Sequence, residues 1–321
     1  MIEFPTPSPQ ALQLSAELST VIRKEISAAG GSIPFSRYME LCLYAPGLGY
    51  YSAGQRKFGA GGDFVTAPEV SPLFGRCLAN ACRVVLQSLH GGDILEFGAG
   101  TGRLAIDLLG ELGRTECLPE RYLILERSAG LRQRQQQALQ RELPQLLDRV
   151  VWIDTLPQAG FRGVMLANEV LDAMAVERFQ WDGEVAGLFH VRSEGDTFQW
   201  QLQQQQDETT AAVESLASSC QLAPGYISEL NTGLSAWLQS IAATLQQGVM
   251  LLIDYGYPRH EYYHSQHSSG TLMCHYRQRA HDDPFLWPGL QDITAHVDFT
   301  AVAEAALASN LEVSGYTTQA F

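Results

Sequence analysis

The chain has 321 residues and a mass of 35.3 kDa, with 45% hydrophobic and 17% charged residues. That length suits one large decorated domain or two modest ones, and the apolar share supplies a sizeable core, which excludes long disorder, collagen-like and coiled-coil architectures. A formal net charge of −14 and a pI near 4.9 repel phosphate backbones, which argues against nucleic acid as a partner and favours steering of basic ones.

The elements follow in chain order. Leu14, Leu18, Val21 and Ile22 recur at helical spacing over residues 9–29, and Gly30-Gly31 ends the run. A short helix fits Phe35 to Leu43, with Pro34 at its first turn. Residues 45–71 form a loop rich in glycine and aromatics, whose Tyr50, Tyr51, Phe58, Phe64 and Pro68 suit a pocket wall or lid better than a solvated linker. A helix then fits Leu73–Leu89. Four short apolar strands, Asp93–Phe97, Tyr122–Glu126, Val150–Asp154 and Val164–Ala167, alternate with helices over Thr101–Leu112 and Ser128–Leu143. This alternation predicts a parallel sheet with right-handed crossovers, a doubly wound Rossmann-like α/β fold.

Glu177–Trp181, Val185–Val191 and Thr197–Gln203 alternate apolar and polar residues around an Asp182-Gly183 turn, the pattern of a small antiparallel insertion on the rim of the sheet. After a glutamine run, helices are expected over about 208–219 and 226–246. A fifth parallel strand fits Val249–Asp254, a β-like piece Gly270–Tyr276, a helix Phe299–Ala308, and a last strand from Leu311 onward. The expected organisation is an N-terminal helical and lid extension (1–71), a core (72–175 and 247–321) and an inserted β-hairpin and helical unit (176–246).

The six cysteines, Cys42, Cys77, Cys82, Cys117, Cys220 and Cys274, include no Cys-x-x-Cys pair, which suits reduced thiols rather than disulfides or a zinc site. His260, His264 and His267 lie in a polar loop with no cysteine or carboxylate cluster, so no metal is expected. The N-terminus lacks a basic stretch before an apolar core, and no apolar run approaches the roughly 18 residues of a membrane helix. The expectation is a cytoplasmic protein without a membrane span; a mitochondrial matrix location would require a eukaryotic source and a transit peptide not seen here.

Strand Asp93–Phe97 runs into Gly98-Ala99-Gly100-Thr101-Gly102 and then a helix, a turn that brings backbone close to a ligand beneath a helix N-terminus. The third glycine comes one residue earlier than in a dinucleotide loop, and Glu96 lies two residues before the first. An acid there repels a pyrophosphate but suits a ligand carrying an ammonium and a sulfonium, such as S-adenosylmethionine. Glu126 closes the second strand, where a carboxylate accepts both ribose hydroxyls, and Asp154 closes the third, where a polar group meets the adenine amino group. Three acids at consecutive strand ends around a glycine turn point to a class I methyltransferase with that cofactor, S-adenosylhomocysteine being the product. Asn168, Glu169 and Asp172 follow the fourth strand, where it opens onto the methyl group. Glu169 and Asp172 are spaced to share one helical face, and together they would hold a guanidinium in plane. Asp254, Tyr255 and Asp292 are secondary candidates, with His296 as a proton acceptor.

The segments Gly62–Glu69 (GDFVTAPE), Ala167–Ala173 (ANEVLDA), Ile253–Tyr257 (IDYGY) and Asp292–Phe299 (DITAHVDF) resemble the MidA family, bacterial relatives of the mitochondrial complex I assembly-factor methyltransferase. The resemblance covers nearly the whole chain. It implies a class I methyltransferase fold, S-adenosylmethionine as cofactor, Asp63 among the cofactor-binding residues and a protein substrate that presents arginine. The family continues beyond the strand expected from Leu311 with a further antiparallel strand, so a chain stopping at Phe321 leaves a sheet edge that favours a homo-oligomer. Two other readings remain at this point: a cofactor-binding assembly factor with little turnover, and a small-molecule methyltransferase.

Overall fold

The structure, a computed structural model, describes residues 4–53 and 67–319. Helix α1 (Pro9–Ala28) begins where the Ser8 hydroxyl accepts the Ala11 amide at 3.2 Å and Pro9 occupies a position whose N–H would have no helical partner. Strand β1 (Ser32–Pro34) leads into α2 (Phe35–Tyr44). A one-turn α3 (Ala67–Val70) precedes α4 (Pro72–Leu89), which Ser71 caps in the same way. Phe58, Asp63 and Phe64 lie outside the described residues.

The alternation read from the sequence follows: β2 (Asp93–Phe97), α5 (Arg103–Arg114), β3 (Tyr122–Leu125), α6 (Ala129–Glu142), β4 (Val150–Ile153) and β5 (Phe161–Asn168). The inserted unit holds β6 (Glu177–Trp181), β7 (Ala186–Glu194), β8 (Thr197–Gln203), α7 (Glu208–Cys220), β9 (Tyr226–Leu230) and α8 (Leu234–Ala242). Strand β10 (Leu245–Ile253) returns to the core. After it come β11 (Gly256–Tyr257), α9 (Arg259–Tyr262), β12 (Met273–Tyr276), β13 (Arg279–His281), β14 (Asp292–Thr294), β15 (Val297–Asp298) and α10 (Phe299–Ala308).

The central sheet is parallel in the order β10-β5-β2-β3-β4. Alternate side chains divide its two faces. Ile94, Tyr122, Ile124, Val164 and Leu166 pack with residues of α4, α5 and α6. Leu95, Phe97, Met165 and Ala167 pack with residues of α8 and α10. Each fully buried Leu or Ile contributes about 1.5–3 kcal/mol relative to exposure, so both faces drive the same fold. At Gly163, with φ +142°, a Cβ would fall 1.8 Å from the Asp93 carbonyl, so only glycine fits between β5 and β2 there.

A second, antiparallel sheet runs β1-β7-β6-β9, with β8 also on β7. Its β1 comes from the N-terminal segment, pairing Ser32 with Arg192 and Pro34 with His190, so the first and inserted segments share one sheet. The same cluster joins Phe35, Tyr38 and Met39 of α2 to Val191 and Phe198 of the insertion and to Cys274 and Ile293 of the C-terminal strands. This packing brings α2 and the strands β12 and β14 together at the cavity described below.

Three expectations are corrected. Tyr226–Leu230 is a strand rather than the start of a helix. It pairs with β6, and its Glu229 is fully buried against Arg178 (3.2 Å) and the Thr271 amide (2.7 Å). The β-like piece begins at Met273, because Thr271 turns its amide to Glu229. The strand expected from Leu311 does not form. Residues 311–318 have no regular structure, and Val313 and Tyr316 are exposed, with no described strand to complete a ladder.

Candidate functional site

The glycine turn needs left-handed backbone at three positions: φ is +61° at Gly98, +53° at Gly100 and +84° at Gly102. Two backbone bonds hold it, from the Gly98 amide to the Leu125 carbonyl at 3.0 Å and from the Gly102 amide to the Ala99 carbonyl at 2.7 Å. The Thr101 hydroxyl donates to Glu69. Glu96 is buried beneath the turn, accepting the Tyr122 hydroxyl at 2.7 Å. Burial pushes its pKa up to about 7, against the opposing pull of that hydrogen bond. Glu126 is also buried and raised by burial. It accepts the Ser128 amide at 2.9 Å and the Gln135 side-chain amide at 3.0 Å.

Further along the cavity, Glu169 sits at φ +52°, a left-handed conformation rare outside glycine. Asp254, at the end of β10, holds the turn that follows. Its Oδ2 accepts the amides of Val170 (3.1 Å), Leu171 (2.9 Å) and Asp172 (3.3 Å). Burial and the neighbouring Asp254 push Glu169 up to about 7, and burial with Asp254, Asp292 and Glu169 raises Asp172 strongly. The N-terminal segment supplies a wall. Tyr44 and Tyr51 stack with ring centroids 5.5 Å apart; Tyr44 donates to the Ala173 carbonyl at 2.8 Å, and Tyr51 to both oxygens of Asp292 at 2.9 and 3.0 Å. His296 lines the same space. Its amide donates to the Thr271 hydroxyl, and its buried Nδ1 has no partner among the described residues. Burial and nearby His267 lower its pKa, so the ring is neutral at neutral pH.

One cavity of about 990 Å³ joins these parts. Glu96, Glu126 and the turn residues Gly98, Ala99, Gly100 and Thr101 line one part of it; Glu169, Asp172 and His296 line another, with Asn168 beside the turn where β5 pairs with β2. Two expected residues stand apart. Gly102 lies behind the turn, where a Cβ would meet Gln135 at 3.4 Å, so it serves helix packing. The Asp154 side chain is 84% exposed and pairs with Arg132 at 2.7 Å, outside the cavity lining. Asp63 lies outside the described residues. Sequence reasoning missed Tyr44 and Gln135, and raised Tyr51 only as part of a lid. Tyr51 stood in the aromatic-rich stretch that marked a wall and Tyr44 just before it, whereas Gln135 is hidden in a glutamine run on α6.

The cavity fits S-adenosylmethionine. It has buried carboxylates at the glycine turn for a cationic head and vicinal hydroxyls, and the buried Asn168 Oδ1 is without a hydrogen-bond partner among the described residues. Its volume is at the upper end for small-ligand sites, which leaves room for an acceptor side chain beside the cofactor.

Comparison with known proteins agrees. The family model described as "Putative S-adenosyl-L-methionine-dependent methyltransferase" matches residues 77–317. A Burkholderia thailandensis protein solved with S-adenosyl-homocysteine bound superposes with a TM-score of 0.94 at 44% identity, covering 99% of this chain and 82% of that one. Among curated proteins, the mitochondrial protein arginine methyltransferase NDUFAF7 of Danio rerio is 28% identical over 91% of this chain and 73% of its own. The Caenorhabditis elegans homolog of the same name is 28% identical over 84% of this chain and 67% of its own. The chain belongs to this family, the MidA-like S-adenosylmethionine-dependent methyltransferases; it is a class I methyltransferase whose cofactor is S-adenosylmethionine.

Proposed function

We propose that the chain methylates an arginine side chain of a protein partner. The observation that carries this reading is the wall of carboxylates, Glu169, Asp172 and Asp292, lining the cavity beyond the groups that would hold the cofactor. Such a wall suits a permanently cationic acceptor. The names of the fish and nematode relatives support it, and the net charge of −14 favours a basic partner.

In this reading Glu96, Glu126, Asn168 and the turn from Gly98 to Thr101 hold the cofactor. When bound, the cofactor supplies a methyl group on a sulfonium, whose transfer to a guanidinium nitrogen leaves a neutral thioether and releases one proton. Alignment is the main task, and Glu169 with Asp172 performs it by gripping the guanidinium in plane. The arriving cation favours their charged forms and so draws their raised pKa values back down. His296, neutral and lining the cavity, takes up the departing proton. The stacked Tyr44 and Tyr51 keep water from the acceptor.

Mass spectrometry of methylated arginines in cells with and without the protein tests this reading. Sites that vanish on deletion and return with the wild-type gene, but not with Glu169→Gln, are expected. An unchanged arginine methylome beside altered methylation of another residue type would overturn it.

A further inference from the structure

Gln135 is fully buried, and its side-chain amide touches three separate parts of the cofactor end. Nε2 donates to the Gly100 carbonyl at 3.0 Å and to Glu126 Oε2 at 3.0 Å, while Oε1 accepts the Trp152 indole N–H at 2.9 Å. The Gly100 carbonyl belongs to the turn after β2, Glu126 to the tip of β3, and Trp152 to β4. We propose that Gln135 is a positioning residue for the cofactor: one amide sets the Gly100 turn and the Glu126 carboxylate relative to each other, and Trp152 fixes that amide's orientation. The proposal rests on the reading that Glu126 and the glycine turn hold the cofactor.

The donor inventory makes the arrangement one-way. An indole N–H donates and never accepts, so it must face Oε1; the amide cannot flip without setting two donors against each other. Both Nε2 hydrogens then point at acceptors, the Gly100 carbonyl and Glu126 Oε2. The Glu126 oxygens retain lone pairs for a ligand's hydroxyls after accepting Ser128 and Gln135. Gly102 completes the fit: its φ of +84° favours glycine, and its Cα packs close against Gln135. The same donation favours the ionised carboxylate that burial opposes. The other charged or titratable groups facing Glu126 are Glu96 on β2, Arg132 on α6, and Arg127 and Tyr44 alongside.

The experiment is calorimetric titration with S-adenosylhomocysteine across a range of pH on wild type, Gln135→Leu, Trp152→Phe and Glu126→Gln. Folding is checked by circular dichroism. Gln135→Leu should weaken binding by roughly ten- to a hundredfold, the scale of losing a hydrogen bond to a charged group. Its affinity should also fade, as pH falls, from a higher pH than in wild type, because Glu126 then protonates more readily. Trp152→Phe should weaken binding by about two- to tenfold. Wild-type affinity in Gln135→Leu beside a weakened Glu126→Gln overturns the positioning role alone. Wild-type affinity in Glu126→Gln overturns the underlying reading of the ribose carboxylate. If Gln135→Leu does not fold, Trp152→Phe decides: unchanged affinity and an unchanged pH dependence of binding overturn the proposal.

Discussion

At the cofactor end of the cavity, the side chains sit on the tips of adjacent strands and on the turn between β2 and α5. At the acceptor end, the tips of β5 and β10 supply Glu169, Asp172 and Asp254, and segments far apart in the chain complete the wall: Tyr51 meets Asp292 across 241 positions. The first end is assembled by the parallel sheet itself, which always gathers its strand tips in one place. The second depends on the antiparallel sheet and shared core that carry the N-terminal helices to the C-terminal strands. A substitution at either end should therefore separate binding from chemistry.

The largest effect should come from Glu169→Gln, which keeps the shape of the acceptor grip but removes its charge. A hydrogen bond to a charged group is worth about 1.5–3 kcal/mol, so single-turnover methyl transfer should fall by roughly ten- to several-hundredfold. Affinity for S-adenosylhomocysteine should stay close to wild type. Equal losses in both would mean that the two ends are not separable. A wild-type transfer rate would make Glu169 a structural turn residue held by Asp254.

This division also explains what could be read from sequence. Strand tips announce themselves, because apolar runs such as Asp93–Phe97 end in an acid or a glycine turn. Hence Glu96, Glu126 and the turn were legible. Asp154 shows where that logic stops: a strand-end acid is drawn to whichever cation lies nearest, here Arg132 on α6. The Asn168–Asp172 stretch was legible for the same reason as the turn, but its partner Asp292 only weakly, because nothing local shows that Tyr51 will reach it. Gln135 was illegible, since its neighbours in the run are exposed or half-buried glutamines and only the fold buries this one. The missed strand Tyr226–Leu230 has the same cause, a buried Glu229 satisfied by residues distant in sequence.

The second prediction sharpens the contrast through pH. Glu169 must be ionised to grip a cation, and its pKa stands near 7. With the acceptor below saturation, kcat/KM for transfer should rise with pH through about 7 and fall roughly tenfold per unit well below it. Stability should move the other way. A carboxyl raised from 4.5 to about 7 on folding, as Glu96 and Glu169 are, stabilises the fold fully below the lower value. That contribution is lost as pH rises through the upper one. Thermal unfolding without ligand should therefore show a lower Tm at pH 8 than at pH 5.5 from these groups, and Glu169→Gln should flatten part of that slope. A rate limb that persists unchanged in Glu169→Gln assigns it to another group.

A smaller effect is expected from Tyr51→Phe. It removes the hydroxyl shared by the two Asp292 oxygens and leaves the stack on Tyr44 in place. Losing that charged hydrogen bond should cut transfer by about ten- to a hundredfold at most, mainly through the acceptor KM, with S-adenosylhomocysteine affinity unaltered. If cofactor affinity falls instead, the N-terminal wall belongs to the cofactor end.

The smallest effect should come from Asp154→Asn, which sets the strand-end logic directly against the observed geometry. Were Asp154 to accept the adenine amino group, its amide replacement would still offer an oxygen, but without the charge, and affinity would drop measurably. The structure instead places its side chain 84% exposed, paired with Arg132 at 2.7 Å. Arg132 also holds the Glu126 carbonyl at 2.8 Å and the Ile153 carbonyl at 3.3 Å, so it stays in place without its acidic partner. Exposed ion pairs contribute about 0–1 kcal/mol, so both Tm and S-adenosylhomocysteine affinity should change only slightly, the latter by less than about fivefold. Calorimetric titration of the purified variant reads this directly. A loss of about tenfold or more would put Asp154 against the ligand after all, and would mean that the third strand tip joins the first two when the cofactor binds.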